Sequence, residues 1–238
     1  MYKRILLKLS GEALKGENDS ILEVKHLDSL TNVVKQLHEN GFEVAIVIGA
    51  GNIWRGKLAN QIGIEPVPAD FMGMLGTVIN AVAMASNLKK KGIPAIVYSA
   101  VPEIKDVTYA YNKESANKSL LEGKVVFLAG GTGKPFFTTD TAAALRAIEL
   151  DCQAIFMGKN GVDGIYTADP TVDKTAEFIK TITFKEIIER KLQVMDISAV
   201  ELIKNTNIDV RVFSMANPAN FLKVASGEDI GTTVKKGE

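Results

Sequence analysis

Residue types that form disulfides and metal sites are scarce in this sequence of 238 residues. Cys152 is the only cysteine, which excludes an internal disulfide and makes a zinc site built from cysteines implausible. We expect it to be a small buried hydrophobic residue. The histidines, His26 and His38, have polar neighbours and no cysteine or carboxylate cluster beside them. Surface positions are therefore expected for both, and neither a metal site nor histidine-based catalysis is indicated.

An excess of either charge is also absent. Lysine plus arginine and aspartate plus glutamate each total 28, so no overall field attracts nucleic acid or an acidic membrane, and any anion site must be local. Residues 1–7 lack the long apolar region and cleavage site of a signal peptide, and no run is expected to reach the apolar length of a membrane span. A cytoplasmic protein without nucleic-acid or membrane partners is the default expectation.

The hydrophobic content of 46% is enough for a large core in one domain. Apolar runs and helical periodicities alternate along the chain. They predict strands over 5–9, 44–48, 95–99, 125–129, 154–157 and 210–213, and helices over 24–40, 68–91, 113–122, 142–150, 183–190, 198–204 and 217–227. This alternation predicts an α/β fold, a three-layer αβα sandwich with a mostly parallel central sheet.

Glycine-rich loops follow three of these strands, at residues 49–56, 130–140 and 158–170. Glycines allow close approach of the backbone to a ligand, and the N-terminus of a following helix favours an anion. The first loop closes on Arg55, whose planar guanidinium suits phosphate oxygens, but a tryptophan at the third glycine position excludes a dinucleotide fingerprint. One such loop alone could be a turn whose Thr139 or Asp140 merely caps a helix. Three loops favour sites for two phosphate-bearing ligands.

Two isolated charged residues add to these loops. Lys8 interrupts an apolar strand, and it either points to solvent at the strand end or reaches phosphate oxygens at the carboxyl edge of a parallel sheet. Asp70 lies near the predicted start of a long helix, where it either caps that helix or accepts hydrogen bonds from a sugar's hydroxyl groups. Because the loops leave strands at one edge, these residues could converge.

The central loop is not a P-loop, since Gly133-Lys134 is followed by Pro135 where serine or threonine is required. Any phosphoryl transfer therefore belongs to another fold. The candidate cluster has no general base, but phosphoryl transfer relies mainly on alignment and charge neutralisation. An acceptor that is itself a phosphate, with a second pKa of about 6, would need no base.

Five segments then carry a resemblance to a known family in its order and spacing: residues 8–14, 49–56, 70–74, 132–140 and 162–170. The chain resembles the bacterial uridylate kinases, also called UMP kinases, of the amino acid kinase superfamily with its carbamate kinase-like fold. The resemblance runs from the first strand to Gly231-Thr232. It implies transfer of the γ-phosphoryl group of ATP to UMP in cytoplasmic pyrimidine synthesis, with Mg²⁺ bound mainly through the phosphates.

The resemblance also implies one amino acid kinase domain over 1–238. Its N-terminal lobe would bind mainly UMP, and its C-terminal lobe, from about residue 150, mainly ATP. A homohexamer and feedback inhibition by UTP are implied as well. Control by GTP is not expected, because the loop of residues 15–20 is short.

Carried over by position, the resemblance names Lys8, Asp140 and Arg55 as catalytic and names no residue as a metal ligand. The residues that would bind ATP are Lys8, Leu9, Ser10, Gly11, Gly51, Arg55, Asn160, Tyr166 and Asp169. The residues that would bind UMP are Ala50, Asp70, Thr132, Gly133, Lys134, Pro135, Phe136, Phe137, Thr138 and Thr139. Two of these depart from the family pattern, since Ala50 replaces a common glycine and Lys134 a usual asparagine.

Two alternatives remain open at this point. Other kinases of the superfamily act on acetylglutamate, aspartate, carbamate or isopentenyl phosphate, although the carboxylate acceptors have no need of a ribose-binding Asp70. A nucleotide-binding storage or regulatory protein could also share the fold. The presence of Lys8, Asp140 and Asp169 together argues against that second alternative.

Overall fold

A nine-stranded sheet forms the centre of the computed structural model, which describes residues 2–16, 20–159, 161–192 and 194–237. The strands are β1 (Arg4–Leu9), β2 (Glu43–Ile48), β3 (Ala95–Ser99), β4 (Tyr109–Ala110), β5 (Val125–Ala129), β6 (Ala154–Lys159), β7 (Ile165–Tyr166), β8 (Phe178–Ile179), β9 (Thr181–Thr183), β10 (Asp209–Ser214) and β11 (Thr232–Lys235). The order across the sheet is β4-β3-β5-β2-β1-β6-β10-β11-β9, while β7 and β8 form a separate ribbon.

The helices are α1 (Val24–Glu39), α2 (Gly56–Ile62), α3 (Pro66–Lys90), α4 (Lys113–Leu121), α5 (Thr139–Glu149), α6 (Phe184–Glu189), α7 (Ile197–Ile203) and α8 (Ala219–Ala225). A short 3₁₀ helix, Gly11–Leu14, follows β1. A capping box starts α6, where Thr183 and Glu186 each accept from the other's backbone N–H.

Two hydrophobic cores lie on opposite faces of the sheet. Successive side chains of a strand point to opposite faces, so Leu7 packs with residues of α1, α3 and α8, and Leu6 with residues of α4, α5, α6 and α7. This arrangement confirms the predicted three-layer sandwich. All pairings from β3 to β10 through β5, β2, β1 and β6 are parallel, so the carboxyl ends of these strands share one edge.

The sequence prediction was incomplete at short elements and inexact at the start of the long helix. The strands β4, β7, β8, β9 and β11 and the helix α2 were not predicted, because two to four residues of strand carry too little periodicity. Helix α3 begins at Pro66, so Asp70 lies inside it and does not cap it. The N-cap of α5 is Thr138 rather than Thr139 or Asp140.

The expectation that no segment reaches the apolar length of a membrane span was wrong for α3. Its 25 residues are long and apolar enough by length and composition, but 50% of its most apolar window is buried in the protein. Met74 and Val78 belong to the core beneath the sheet, as a core helix requires. The length of α3 is therefore weak evidence for a membrane span.

Candidate active site

The carboxyl edge of the sheet brings the loops after β1, β2 and β5 together. A Cβ added at Gly11 would lie 2.5 Å from the carbonyl oxygen of Gly49. A Cβ added at Gly49 would lie 3.6 Å from Oγ1 of Thr139, the first residue of α5. A side chain at position 11 would push the first two loops apart, so glycine is required there.

The strand lysine meets a carboxylate at this edge. Lys8 lies on the face of β1 that α5 covers, and its Nζ forms an ion pair with Asp140 Oδ1 at 2.5 Å. The two side chains are only 19% and 18% exposed, and water screens such a pair less than a surface pair. Of the two alternatives for Lys8, the structure excludes the one in which it points to bulk solvent.

A carboxylate that the sequence reasoning missed, Asp196, joins α5 to α7. It accepts hydrogen bonds from the hydroxyl groups of Thr138 and Thr141, the latter at 3.0 Å, and it caps α7 by accepting from the backbone N–H of Ala199 at 2.7 Å. An aspartate directly before a predicted helix is a cap signal, which could have identified it. Its contact with α5 spans 55 residues of sequence and carries no local signal.

A cavity of about 300 Å³ brings together part of the predicted acceptor set. Its lining includes Ala50, Asp70, Phe137, Thr138 and Thr139. The predicted residues from Thr132 to Phe136 lie outside this lining. The cavity is thus formed by α3, the loop after β2 and both ends of the central loop, since Gly131 also lines it.

The carboxylate of Asp70 holds the central loop from α3. Its Oδ2 accepts a hydrogen bond from the backbone N–H of Phe136 at 2.6 Å. Phe136 has φ of 68°, a left-handed conformation that is uncommon for a bulky residue, and its side chain is 72% exposed. Asp70 therefore stabilises a strained turn beside the cavity, a role that the sequence did not predict.

The family departure at Ala50 is accommodated by a glycine on α3. A Cβ added at Gly76 would lie 2.8 Å from Cβ of Ala50, so the alanine methyl group occupies space that a side chain on α3 would need. Ala50 is also absent from the residues with positive φ, as an alanine requires. The other departure, Lys134, has its backbone N–H bonded to Oγ1 of Thr132 at 3.2 Å.

Arg55 does not lie free for phosphate. Its Nη2 donates to Glu12 Oε1 at 2.6 Å and its Nε donates to the same oxygen at 3.1 Å. The Arg55 side chain is 66% exposed, so this ion pair is screened by water and weak. Glu12 therefore already accepts from two of the three guanidinium nitrogens that a phosphate could use.

Tyr166 and Asp169, two of the residues predicted to bind ATP, line a second cavity of about 560 Å³ beyond β6. Tyr166 donates a hydrogen bond to Asp163 at 2.8 Å, which raises the pKa of Tyr166. Asp169 accepts from the hydroxyl and backbone N–H of Thr171, at 2.7 and 2.9 Å, and these bonds lower the pKa of Asp169. The third predicted residue, Asn160, lies outside the described residues.

A larger cavity, of about 880 Å³, connects the ion pair with this side. Its polar lining includes Asp140, Lys159 and Asp196, and the rest is mainly apolar side chains of α6, α7 and the segment between them. Lys159 also lines the 560 Å³ cavity. The 880 and 560 Å³ cavities thus adjoin at Lys159, and the 300 Å³ cavity comes next to them in sequence, since Thr139 lines it and Asp140 lines the 880 Å³ cavity.

Two buried polar residues of α3, also missed from the sequence, hold the glycine loops. Thr77 Oγ1 accepts from the backbone N–H of Gly130 at 2.8 Å, and Asn80 Nδ2 donates to the carbonyl oxygen of Gly49 at 2.8 Å. Gly130 has φ of 74°, and a Cβ there would lie 2.8 Å from the backbone nitrogen of Val101. Helix α3 therefore fixes both loops.

The cysteine and the two histidines line none of these three cavities. Cys152 is buried as expected, and burial raises its pKa to about 12, so it is not a reactive thiolate. The histidines are partly exposed, and His26 Nδ1 and His38 Nε2 hydrogen-bond to the carbonyl oxygens of Lys15 and Gly123.

Known proteins match this fold and this loop order. The profile of the amino acid kinase family matches residues 3–214, so the chain belongs to that family. A uridylate kinase from Pediococcus pentosaceus is 43% identical over 237 residues, which are 100% of this chain and 98% of that protein.

Two crystal structures of UMP kinases are also similar over the whole chain. The Bacillus anthracis structure has 36% identity and a TM-score of 0.96, covering 100% of this chain and 97% of that one. The Ureaplasma parvum structure has 34% identity and a TM-score of 0.93, covering 99% and 100%. These similarities place the chain with the uridylate kinases of the amino acid kinase family.

Proposed function

We propose that this chain transfers the γ-phosphoryl group of ATP to UMP, giving UDP and ADP in pyrimidine nucleotide synthesis. The observation that carries the proposal is the position of the Lys8–Asp140 pair. The acceptor cavity ends at Thr139, the next residue lines the 880 Å³ cavity, and that cavity leads to the loop of Tyr166. Whole-chain similarity to uridylate kinases supports UMP as the acceptor.

The ammonium of Lys8 would neutralise negative charge on the migrating phosphoryl group, and Asp140 would hold that ammonium in place. Among the first backbone N–H groups of α5, those of Asp140 and Thr141 already donate to Oγ1 of Thr138, so the N–H of Thr139 is the one that would face an anion there. No side chain needs to remove a proton, since a phosphate acceptor with a second pKa of about 6 is largely ionised at neutral pH.

The remaining predicted residues divide between two ligands. Leu9, Ser10 and Gly11 would hold ATP phosphates with Lys8, and Gly51 and Arg55 would meet phosphates between the nucleotides after Arg55 leaves Glu12. Residues before about 150 would bind mainly UMP, and residues after it mainly ATP. Asp70 would then exchange its bond with Phe136 for the ribose, or accept both.

Magnesium would supply further neutralisation of the phosphate charge. Within the described ranges, no group of three or more histidine, cysteine, aspartate or glutamate residues could hold a metal ion. Mg²⁺ needs only one or two carboxylates when substrate phosphates supply its other ligands. We therefore propose that the nucleotide phosphates hold it, with Asp140 near them.

Three further properties are proposed from the family resemblance. A homohexamer is supported by an apolar stripe on α3, where Phe71, Leu75 and Ile79 are 38%, 53% and 48% exposed at helical spacing. Light scattering in solution measures its mass.

UTP would inhibit by entering the acceptor cavity with the same uracil and ribose as UMP, and the protein would work in the cytoplasm. The loop on which the absence of GTP control depends includes residues 17–19, outside the described residues.

The proposal is tested by offering all the alternative acceptors at once. Purified protein is incubated with Mg·ATP and equimolar UMP, CMP, isopentenyl phosphate, carbamate, acetylglutamate and aspartate, and ³¹P NMR identifies the product. We expect UDP. Phosphorylation of another acceptor in preference to UMP would reassign the substrate, and ATP binding without any product would favour the storage or regulatory alternative.

A further inference from the structure

A second lysine, Lys159, lies beside the ion pair at the carboxyl end of β6. In the parallel pairing of β1 with β6, Lys8 is the partner of Met157. Lys159 is two residues further along, and alternation places it on the same face of the sheet as Met157, the face covered by α5 and α7. Two strand residues span roughly 6–7 Å. Lys159 therefore follows Lys8 along that face, towards the loop of Tyr166.

The charge of Lys159 is not balanced by a carboxylate. In the part of the chain that the structure describes, its Nζ forms no ion pair, and it donates one hydrogen bond, at 3.2 Å, to the carbonyl oxygen of Val194. Burial lowers the pKa of Lys159, the neighbouring Lys8 adds to this, and Asp140 opposes it. Lys8, by contrast, is paired with Asp140. A half-buried ammonium without a counter-ion is a site for an anionic ligand.

Three adjoining cavities are lined by Lys159. The 880 Å³ cavity is also lined by Asp140 and Asp196, and the 560 Å³ cavity by Tyr166 and Asp169. The third is a cleft of about 280 Å³ that Lys8 and Ser10 also line. A donor nucleotide that reaches from the loop of Tyr166 to the ion pair must therefore pass this ammonium.

We infer that Lys159 is a second catalytic cation, which contacts the donor phosphates and neutralises the charge that develops on the departing ADP. The inference rests on the proposed phosphoryl transfer. In that step the bond between the γ-phosphorus and the bridging oxygen breaks, and its electron pair stays on ADP. A new bond forms from the acceptor phosphate oxygen to the same phosphorus. Lys159 keeps its proton throughout, and Lys8 acts on the migrating group.

The test compares Lys159→Met, Lys159→Gln and Lys159→Arg with the wild type in steady-state kinetics and in calorimetric titration with Mg·ADP. Lys185→Met is the matched control, since Lys185 is a 79% exposed lysine paired with Glu189 on α6. We expect the two neutral variants to lose about 100-fold in kcat, to bind Mg·ADP several-fold more weakly and to unfold near the wild-type temperature. The control should match the wild type in every measurement.

The arginine variant adds a readout that a structural role would not change. The titratable and charged groups that line the cavities around Lys159 come from every element packed there: Lys8 from β1, Glu12 from the 3₁₀ helix, Asp140 from α5, Tyr166 and Asp169 from the loop after β6, and Arg190, Lys191 and Asp196 from the end of α6 and the segment joining it to α7. Because its pKa is lowered, Lys159 loses its proton at a lower pH than an exposed lysine, and kcat of the wild type should fall on the alkaline side. Arginine stays protonated there, so Lys159→Arg should retain kcat to higher pH than the wild type.

Two results would overturn the inference: kcat of the folded neutral variants within threefold of the wild type, or unchanged affinity for Mg·ADP. Absence of turnover in the wild type would instead contradict the proposed function. The titration with Mg·ADP would still test the contact between Lys159 and the nucleotide phosphates, because it does not require turnover. Equal affinities of the wild type and Lys159→Met for Mg·ADP would exclude that contact.

Discussion

Asp196 shows how one side chain can order two helices at the active edge. Its carboxylate accepts hydrogen bonds from the hydroxyl groups of Thr138, the N-cap of α5, and Thr141 on α5. It also accepts from the backbone N–H of Ala199 on α7. Thr138 in turn accepts from the N–H of Asp140, so Asp196 also fixes the start of the helix that carries the partner of Lys8. The position of the Lys8–Asp140 ion pair thus depends on Asp196, which does not belong to that pair.

At the residue scale, Asp196→Ala should lower the free energy of unfolding by about 2–3 kcal/mol, because it removes a helix cap and charge-assisted hydrogen bonds. Urea denaturation measures this loss. The control is Asp173→Ala, which removes an exposed carboxylate whose hydrogen bonds, among the described residues, go to Thr175 in a surface turn; it should cost less than about 1 kcal/mol. Equal losses in the two variants would contradict the bridging role.

At the element scale, α3 serves as the support for both glycine loops. Asp70, Thr77 and Asn80 lie on it at separations of seven and three residues, and they contact the backbones of Phe136, Gly130 and Gly49 respectively. Thr77 and Asn80 are buried, as is half of the most apolar window of α3, so the composition that resembles a membrane span is that of a core helix. A core helix with a few polar groups can thus set the geometry of two ligand loops.

A conservative change on α3 tests this support. Thr77→Val keeps the shape but leaves the buried N–H of Gly130 without an acceptor, which should cost about 1–3 kcal/mol of stability. Because Gly130 starts the acceptor loop, KM for UMP should rise several-fold with a smaller change in kcat. Thr77→Ser keeps the acceptor oxygen and should retain wild-type KM. A valine variant with both properties unchanged would show that α3 does not position the loop through this bond.

The elements that could be predicted from the sequence are those with a clear period. The strand of residues 125–129 and the helix after it were located within a few residues, because one is a buried apolar run and the other a regular amphipathic segment. Short strands and the seven-residue α2 carry no such period. The start of α3 was placed two residues late because both Pro66 and Pro68 are acceptable first-turn residues.

The site could be predicted only where the signal is local. Glycines at strand ends indicated the edge, and parallel topology indicated that the loops converge. Other contacts of the site join residues that are far apart in sequence. They are Arg55 with Glu12, 43 positions apart, Thr138 with Asp196, 58 apart, and Gly130 with Thr77, 53 apart. Such contacts depend on the register and packing of the complete fold, which no short pattern encodes. The same reason kept Lys159 out of the predicted site.

At the scale of the whole molecule, two cavities lie on either side of the end of one strand. The acceptor cavity lies with α3 and the loop after β2, and the cavity of Tyr166 lies beyond β6, while Lys8 on the central strand β1 is between them. If UMP and ATP occupy these two cavities as proposed, the phosphoryl group passes between them at a fixed position beside Lys8.

The most direct measurement of this arrangement is the steady-state kinetics of Lys8→Ala and Asp70→Ala with UMP and Mg·ATP. Removal of the transfer cation should lower kcat by at least about 100-fold and change KM for UMP little. Removal of the acceptor carboxylate should instead raise KM for UMP by about tenfold or more, with a smaller loss of kcat. Near wild-type kcat in Lys8→Ala would contradict the role of Lys8 in the transfer step. If both variants changed mainly kcat, or both mainly KM for UMP, the separate roles of Lys8 in transfer and Asp70 in UMP binding would also be contradicted.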